Sequence, residues 1–243
     1  MSNGQRWGEN ASFPGWEKLK RTTIRAARDP QTWVPLAGAV VLSFGDLDED
    51  LSDWAVRETP LFGSEDSADD ASDDMGGALA IATVVSALAT PSGDDKSEWM
   101  ESKFKGLLVE ASASILTGST TSALKDATDR TRPNDDDRGF PSSHASYSSS
   151  FATLTGRNID AMNLTPTTKK VLRYSATTVA GLTAWARVEA KEHYPTDVLV
   201  GSALGYFLSA VVHDSFMGED EPAQIGLQLD GDGGGILTVH MPF

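Results

Sequence analysis

The chain has no cysteine among its 243 residues. Disulfide bonds, thiolate metal sites and a cysteine nucleophile are therefore excluded by composition alone. Basic residues are also scarce, because 20 Lys and Arg stand against 35 Asp and Glu, for a formal net charge of −15. That charge repels nucleic acids at long range, so we expect no nucleic-acid partner.

Long apolar runs are missing as well. A membrane-spanning helix needs about 20 predominantly apolar residues. The two best stretches, residues 75–90 and 198–212, are shorter and rich in Ala, Gly, Ser and Thr. We interpret both as buried core helices and expect no transmembrane helix. Residues 1–14 lack the basic start and apolar centre of a secretory signal.

Apolar residues recur at spacings of three and four along most of the chain, which indicates helices. The pattern predicts helices over residues 16–28, 33–44, 46–57, 76–89, 97–111, 113–128, 144–154, 165–186 and 195–212, the fifth and sixth either separate or continuous. Strand and helix patterns do not alternate anywhere. The predicted fold class is therefore all-α, a helical bundle.

Two segments depart from the helical pattern. Residues 63–74 repeat Ser and Asp, and we interpret them as a solvated loop or a frayed helix start, since the Gly and Glu spacing of a calcium loop is missing. Residues 224–229 and 236–240 alternate apolar and polar side chains around a glycine-rich turn, which predicts a short C-terminal β-hairpin. The domain prediction is a tail with a capping helix (1–30), a helical domain (31–215) and a hairpin tail (216–243).

The second half of the chain carries residue types that bind an oxyanion. Lys125 and Arg132 lie seven residues apart, on one side of two helical turns, and Pro133 ends that helix at a loop. Residues 140–144 read Phe-Pro-Ser-Ser-His, so the Ser142 hydroxyl and the free N–H groups of a helix start face the same loop. These features predict an anion cradle.

A third segment combines two cationic or titratable residues with a helix start. Arg187 precedes His193 by six residues, and Asp197 follows His193 by four. Pro195 suits the first position of a helix, which puts Asp197 in its first turn. The Asp197 carboxylate can then accept a hydrogen bond from the His193 ring.

Together the three segments resemble the signature of the type 2 phosphatidic acid phosphatase and vanadium haloperoxidase superfamily. The family pattern is Lys-x6-Arg-Pro, Pro-Ser-Gly-His and Ser-Arg-x5-His-x3-Asp. The matching blocks here run from Lys125 to Pro133, from Pro141 to His144 and from Ala186 to Asp197. Two positions differ, because Ser143 replaces the usual Gly and Ala186 the usual Ser. Neither difference removes an ionisable group.

The resemblance implies a phosphatase with a helical core that needs no metal ion or other cofactor. It implies that His193 attacks phosphorus to form a phosphohistidine, that Asp197 holds the ring tautomer, and that His144 protonates the leaving group. It also implies phosphate-binding roles for Lys125, Arg132, Ser142, Ser143 and Arg187. The expected substrate is a phosphomonoester or diphosphate, which can be a lipid phosphate, an isoprenyl diphosphate or a small phosphoester.

Two other functions could use the same residues. A vanadium haloperoxidase would hold vanadate as its cofactor in the cationic pocket, whereas a phosphatase would meet vanadate as an inhibitor. Haloperoxidases with these motifs tend to be longer chains, which favours the phosphatase. A noncatalytic phosphate-binding scaffold is disfavoured because every ionisable residue of the signature is present.

The remaining polar and aromatic features have structural interpretations. Residues 134–137 include three Asp, and we expect a surface or substrate-gating loop, since adjacent carboxylates cannot all converge on one ion. Trp33, Trp54 and Trp185 are predicted to lie in the core. His213 and His240 have no partners at catalytic or metal-ligand spacing.

The expected location follows from the resemblance and from the missing long span. Soluble bacterial relatives of this type work outside the cytoplasm, so we expect a periplasmic or membrane-peripheral protein whose signal peptide is absent from this sequence. Trp7, Phe13 and Trp16 could dip into a membrane interface as a peripheral contact.

Overall fold

The computed structural model describes residues 7–218 and the backbone of residues 224–229 and 235–240. Eight helices fill most of the first range: α1 (Trp16–Arg28), α2 (Pro30–Leu42), α3 (Leu47–Glu58), α4 (Glu65–Ala89), α5 (Lys96–Thr128), α6 (Ser143–Ala161), α7 (Pro166–Glu189) and α8 (Pro195–Phe216). The predicted helical bundle is confirmed. The strands β1 (Gln224–Leu229) and β2 (Gly235–His240) pair antiparallel.

The acidic stretch at residues 63–74 agrees with only one of its two interpretations. It is mostly the ordered start of α4, which begins at Glu65. Ser64 caps this helix because its hydroxyl accepts the Ser67 N–H at 3.1 Å, and the acidic side chains of Glu65 and Asp66 suit the positive end of a helix. Of the two interpretations, the solvated loop is therefore wrong and the helix start is correct, and α4 carries carboxylates on its first turns.

Helices α6 and α8 approach closely because α8 carries two glycines on the facing side. A Cβ at Gly201 would lie 2.6 Å from the Ser142 carbonyl oxygen, and one at Gly205 would lie 2.0 Å from the Ser146 carbonyl oxygen. Neither distance leaves room for any side chain. The close packing places the first turn of α6, which carries Ser143 and His144, beside the first turns of α8, which carry Asp197.

The distribution of apolar side chains is unusual for a water-soluble bundle. Most buried apolar residues among those described are alanines, whereas many large apolar side chains face outward. The outward set on α2, α4 and α5 includes Val40, Val41, Ile81, Val84, Val85, Leu88, Phe104, Leu108 and Ile115. Helices that pack through small residues and expose large apolar ones are typical of bundles in lipid.

Two of the three tryptophans predicted for the core lie elsewhere. Trp33 and Trp54 are exposed, so the prediction is wrong for both, while Trp185 packs against a buried cluster that contains Val188 and Val198. Helical periodicity shows that a face is apolar but not whether it meets the core or a lipid phase. The same large residues therefore fit either environment.

Helix α8 changes the expectation about membrane spans. Its 22 residues are long and apolar enough to cross a membrane, and among the described helices it is the candidate by length and composition. The expectation that no helix is long and apolar enough to span a membrane is therefore wrong, although α8 is also a core helix, as predicted, with 56% of its apolar window buried. The expectation took the second apolar stretch as residues 198–212, but the helix extends past both ends of that stretch, from Pro195 to Phe216.

Candidate active site

The three predicted segments meet at one end of the bundle. Lys125 lies in the last turn of α5, which ends at Thr128, so the prediction that Arg132 lies on the same helix is wrong. Arg132 lies in the loop that leads to the start of α6. The Ser142 N–H donates to the Asp197 carbonyl at 3.0 Å, which joins the second segment to the third. The guanidinium of Arg130 donates to the Asp197 carboxylate at 2.9 Å, which joins the first segment to the third.

The three predicted cations point inward. Lys125 and Arg187 are only 8% and 5% exposed, and Arg132 is half-buried. Burial and the neighbouring charge of Arg132 lower the pKa of Lys125 to about 8, although Asp197 raises it. Burial is the largest of the lowering causes, and an anion bound beside Lys125 would favour its charged form.

One carboxylate holds two of these cations together. Glu192 Oε2 accepts from Arg132 Nη1 and lies 3.1 Å from Arg187 Nη2, while Asn134 donates to its other oxygen at 3.2 Å. The Nε atoms of both arginines are nevertheless buried without a hydrogen-bond partner among the described residues. Buried donors are normally paired, so these two N–H groups are available to the oxygens of a ligand.

His193 lies in the short loop between α7 and α8. Its backbone N–H donates to the Arg187 carbonyl at 3.1 Å, and the residue is only 2% exposed. Burial lowers the pKa of His193 to about 4; Asp197 opposes this shift, and the positive charges of Lys125 and Arg132 add to it. The imidazole is therefore neutral near pH 7, which is the state a nucleophile requires.

Asp197 is fully buried in the first turn of α8 and is fixed by two donors. Its Oδ2 accepts the Tyr194 N–H at 2.9 Å, and its Oδ1 accepts from Arg130. Oδ2 also lies 3.7 Å from His193 Nδ1, longer than a hydrogen bond. Catalytic hydrogen bonds are often long before substrate binds. The His193 ring and the Asp197 carboxylate are therefore neighbours that have not yet formed a hydrogen bond.

His144, the second residue of α6, lies in a more open environment. Its side chain is 38% exposed, and Nε2 lies 2.8 Å from Oδ1 of Asp73 on α4. Burial and Arg187 lower the pKa of His144, whereas Asp73 and Asp69 raise it. Asp69 also pairs with Arg187, whose Nη1 donates to Ser72 at 3.0 Å. The acidic start of α4 therefore forms one wall of the site.

The two serines before His144 occupy the start of α6. The Ser142 hydroxyl accepts the Ala145 N–H at 3.4 Å, so it acts as the helix cap while its own O–H remains able to donate. Ser143 is the first residue of the helix, where backbone N–H groups have no intrahelical partner. The position suits an anion, and the phosphate-binding roles of both serines stay predictions.

A groove between α4 and α6 opens beside His144. Its volume is about 540 Å³, and its lining side chains are Asp73, Gly76, Gly77, Ala80, Ser143, His144, Tyr147, Ser148 and Phe151. The rings of Tyr147 and Phe151 stack with centroids 6.0 Å apart and form an apolar wall. The opposite side of the groove is open at the glycines, because a Cβ at Gly77 would meet no atom within 4 Å.

Several residues at the site were not predicted from the sequence, namely Asp48, Asp69, Asp73, Arg130 and Glu192. The spacing of four between Asp69 and Asp73 puts them on one helix face, a signal that the loop interpretation concealed. Arg130 and Glu192 lie next to motif residues. No local sequence pattern marks Asp48 as a site residue.

Among the described residues, no group of three or more His, Asp or Glu side chains could hold a metal ion.

Comparison with known proteins agrees with this geometry. Residues 106–219 match the sequence model of the PAP2 superfamily, the type 2 phosphatidic acid phosphatases. This part of the chain belongs to the PAP2 superfamily. The match contains all the predicted site residues, and the resemblance stated from the motifs is confirmed. A comparison with curated proteins found no match.

A solved structure shares the PAP2 fold of this chain. It is the transmembrane PAP2-type phosphatidylglycerolphosphate phosphatase from Bacillus subtilis, with a TM-score of 0.54 and 19% sequence identity over 80% of this chain and 94% of that one. The likeness supports the helical fold and gives no support to the C-terminal hairpin.

The comparison also corrects the expected location. The similar structure is a transmembrane protein, and α8 meets the requirements of a span. These two findings contradict the expectation of a periplasmic or peripheral protein without a transmembrane helix. Of the N-terminal aromatic residues, Phe13 and Trp16 are exposed, whereas Trp7 is buried against Gly106.

Proposed function

We propose that this PAP2 protein is a metal-independent phosphatase of lipid phosphates that works through a phosphohistidine. The observation that carries the proposal is the environment of His193. A buried, neutral imidazole faces the carboxylate of Asp197, and inward-pointing cations with unpartnered N–H groups surround it. This is the arrangement that nucleophilic attack on a phosphate ester requires.

The first half of the reaction transfers the phosphoryl group to the protein. The ring nitrogen of His193 that faces away from Asp197 forms a bond to phosphorus as the bond to the alkoxide oxygen breaks. The proton on Nδ1 stays directed at Asp197, whose negative charge stabilises the imidazolium. His144 gives its proton to the leaving alkoxide, which departs as an alcohol.

The second half releases phosphate. Water attacks phosphorus, neutral His144 accepts a proton from that water, and the bond between phosphorus and His193 breaks. Lys125, Arg132 and Arg187 provide fixed positive charge for the equatorial oxygens in both halves. Fixed cations can supply the charge that a metal ion supplies in other phosphoryl-transfer enzymes, so the proposed reaction needs no metal.

Two features favour a lipid phosphate over a small ester. The groove that begins at His144 has apolar walls, and His144 is the residue proposed to protonate the leaving group. The apolar part of a lipid alcohol fits such a groove. The outward-facing apolar side chains would place the site next to a bilayer, and the similar solved structure acts on phosphatidylglycerolphosphate.

A hydrolysis panel tests this proposal. The protein is purified in detergent with excess chelator, and phosphate release is measured from phosphatidate, phosphatidylglycerolphosphate, an isoprenyl diphosphate and nitrophenyl phosphate. We expect turnover of at least one lipid substrate with chelator present, and none in a His193→Ala preparation. Turnover that depends on added metal, or halide oxidation that appears only with vanadate and peroxide, would contradict it.

A further inference from the structure

Arg130 lies at the centre of the polar network beneath the site, although it is not among the predicted site residues. Its Nη1 donates to the Thr196 hydroxyl at 2.7 Å and to Asp197 Oδ1 at 2.9 Å, and its Nη2 donates to Asp48 Oδ2 at 2.8 Å. The guanidinium also lies 4.5 Å from the centroid of the Tyr194 ring. Four contacts thus fix both the position and the plane of this group.

Asp48 fixes the other side of the guanidinium. This buried residue of α3 accepts the Thr196 N–H on Oδ1 at 2.9 Å and the Thr196 hydroxyl proton on Oδ2. It therefore satisfies an unpaired N–H group at the start of α8 from a different helix. Asp48 lies outside residues 106–219, the part of the chain that carries the family match.

The network leads directly to the nucleophile. Asp48, Arg130, Asp197 and His193 form a row in which negative and positive groups alternate up to the imidazole. Asp197 has two carboxylate oxygens, and Arg130 takes one of them, which leaves the other facing His193 Nδ1. Without Arg130, Oδ1 would be buried without this charged donor, and the carboxylate would turn toward other donors.

We propose that Arg130 and Asp48 are positioning residues, in which Arg130 orients the Asp197 carboxylate toward His193 and Asp48 holds Arg130. The inference rests on the proposed function, because it takes His193 to be the nucleophile. Neither residue touches the reacting atoms. Their effect reaches the chemistry only through the orientation and charge of Asp197.

The electrostatic consequence has a definite sign. The groups that face His193 are Asp197 on α8, Lys125 on α5 and Arg132 in the loop after α5, and its backbone N–H is bound to the Arg187 carbonyl. Removal of the Arg130 charge leaves the field of Asp197 less compensated, which favours the imidazolium form. His193 then loses its neutral form at higher pH, and the acid limb of kcat/KM moves upward.

The test compares Arg130→Gln, Arg130→Lys and Asp48→Asn with the unaltered protein in detergent, with phosphatidate as the probe, from about pH 4 to about pH 9. We expect Arg130→Gln to lower kcat by about 100-fold with KM changed by less than about threefold, and to shift the acid limb upward. Arg130→Lys keeps the positive charge, so its acid limb should lie at the pH of the unaltered protein, while its kcat should be about tenfold lower. Asp48→Asn should also lower kcat by about tenfold.

Arg157→Gln is the matched control, because Arg157 makes a two-bonded ion pair with Asp214 that involves no residue of the site. Thermal unfolding of each variant separates loss of fold from loss of rate, and Asp48→Asn keeps the test available if Arg130→Gln does not fold. If Arg130→Gln loses no more activity than Arg157→Gln, or its acid limb stays in place or moves downward, the inference is wrong. If the unaltered protein hydrolyses none of the phosphate esters, the proposed function fails instead.

Discussion

The surroundings of the two histidines differ in almost every physical respect. His193 is buried, its partner Asp197 is fully buried, and the donors to that partner are themselves held. His144 has a side chain that is 38% exposed, and its partner Asp73 is 68% exposed. One side of the site is a closed polar network, and the other is open and borders an apolar groove.

This difference separates two tasks of a phosphatase. The attack on phosphorus is common to every ester, so a fixed and preorganised nucleophile suits it. The leaving group varies from one ester to another, so an open wall with a solvent-accessible acid can adapt to it. A closed network also has a cost, because each buried member must keep its partner.

The largest effect should come from the closed side. His193→Ala removes the proposed nucleophile, and we expect a loss of at least about four orders of magnitude in kcat, measured as phosphate release from phosphatidate. His213→Ala is the matched control, since His213 is also buried but pairs with Asp214. Residual activity within about tenfold of the unaltered protein would remove His193 from the mechanism.

The open side should show a dependence on the leaving group. His144→Ala should lower turnover of an alkyl phosphate by about 100-fold or more, because a poor leaving group needs a proton. The same variant should lose less than about tenfold on nitrophenyl phosphate, whose phenolate leaves without help. Equal losses on the two esters would show that His144 has another role.

The groove should affect binding more than chemistry. Gly77→Leu places a side chain where a Cβ now meets nothing within 4 Å, and we expect KM for a long-chain lipid phosphate to rise about tenfold. Turnover of nitrophenyl phosphate should stay the same. Gly181→Leu is a matched control, because it is also a helical glycine with open space around it. An equal rise of KM in both variants would contradict the claim that the groove binds the lipid chain.

The smallest effect should come from the exposed partner of His144. Asp73 raises the pKa of His144 through its hydrogen bond and its charge, so Asp73→Asn should lower that pKa. A general acid must be protonated, and the alkaline limb of kcat therefore moves to lower pH, with a loss of less than about tenfold near neutrality. An alkaline limb that moves upward would mean that Asp73 does not act on the proposed acid.

Much of the fold and the centre of the site could be predicted from the sequence. Helical periodicity gave the bounds of α1 correctly and placed most other helices within a few residues. The fixed spacing from Lys125 to Arg132 and from Arg187 to Asp197 identified residues that the structure brings together. These patterns are local, and a single chain segment is enough to reveal them.

The remaining residues depend on contacts between distant segments. Asp48 meets Arg130 across 82 positions, and Asp69 meets Arg187 across 118, so neither pairing leaves a trace in local spacing. The solvated-loop interpretation failed because Ser and Asp are common in loops and also at helix starts. The orientation of the apolar faces was missed because periodicity does not distinguish a protein core from lipid.

The central claim is that His193 carries the phosphoryl group during turnover. It is tested by mixing the protein with a ³²P-labelled lipid phosphate, quenching within milliseconds, and assaying the denatured protein for bound label. We predict label that is stable to base and labile to acid, as expected of a phosphohistidine, and none in His193→Ala. Phosphate release at the normal rate without any labelled protein, or label that persists in His193→Ala, would contradict the account.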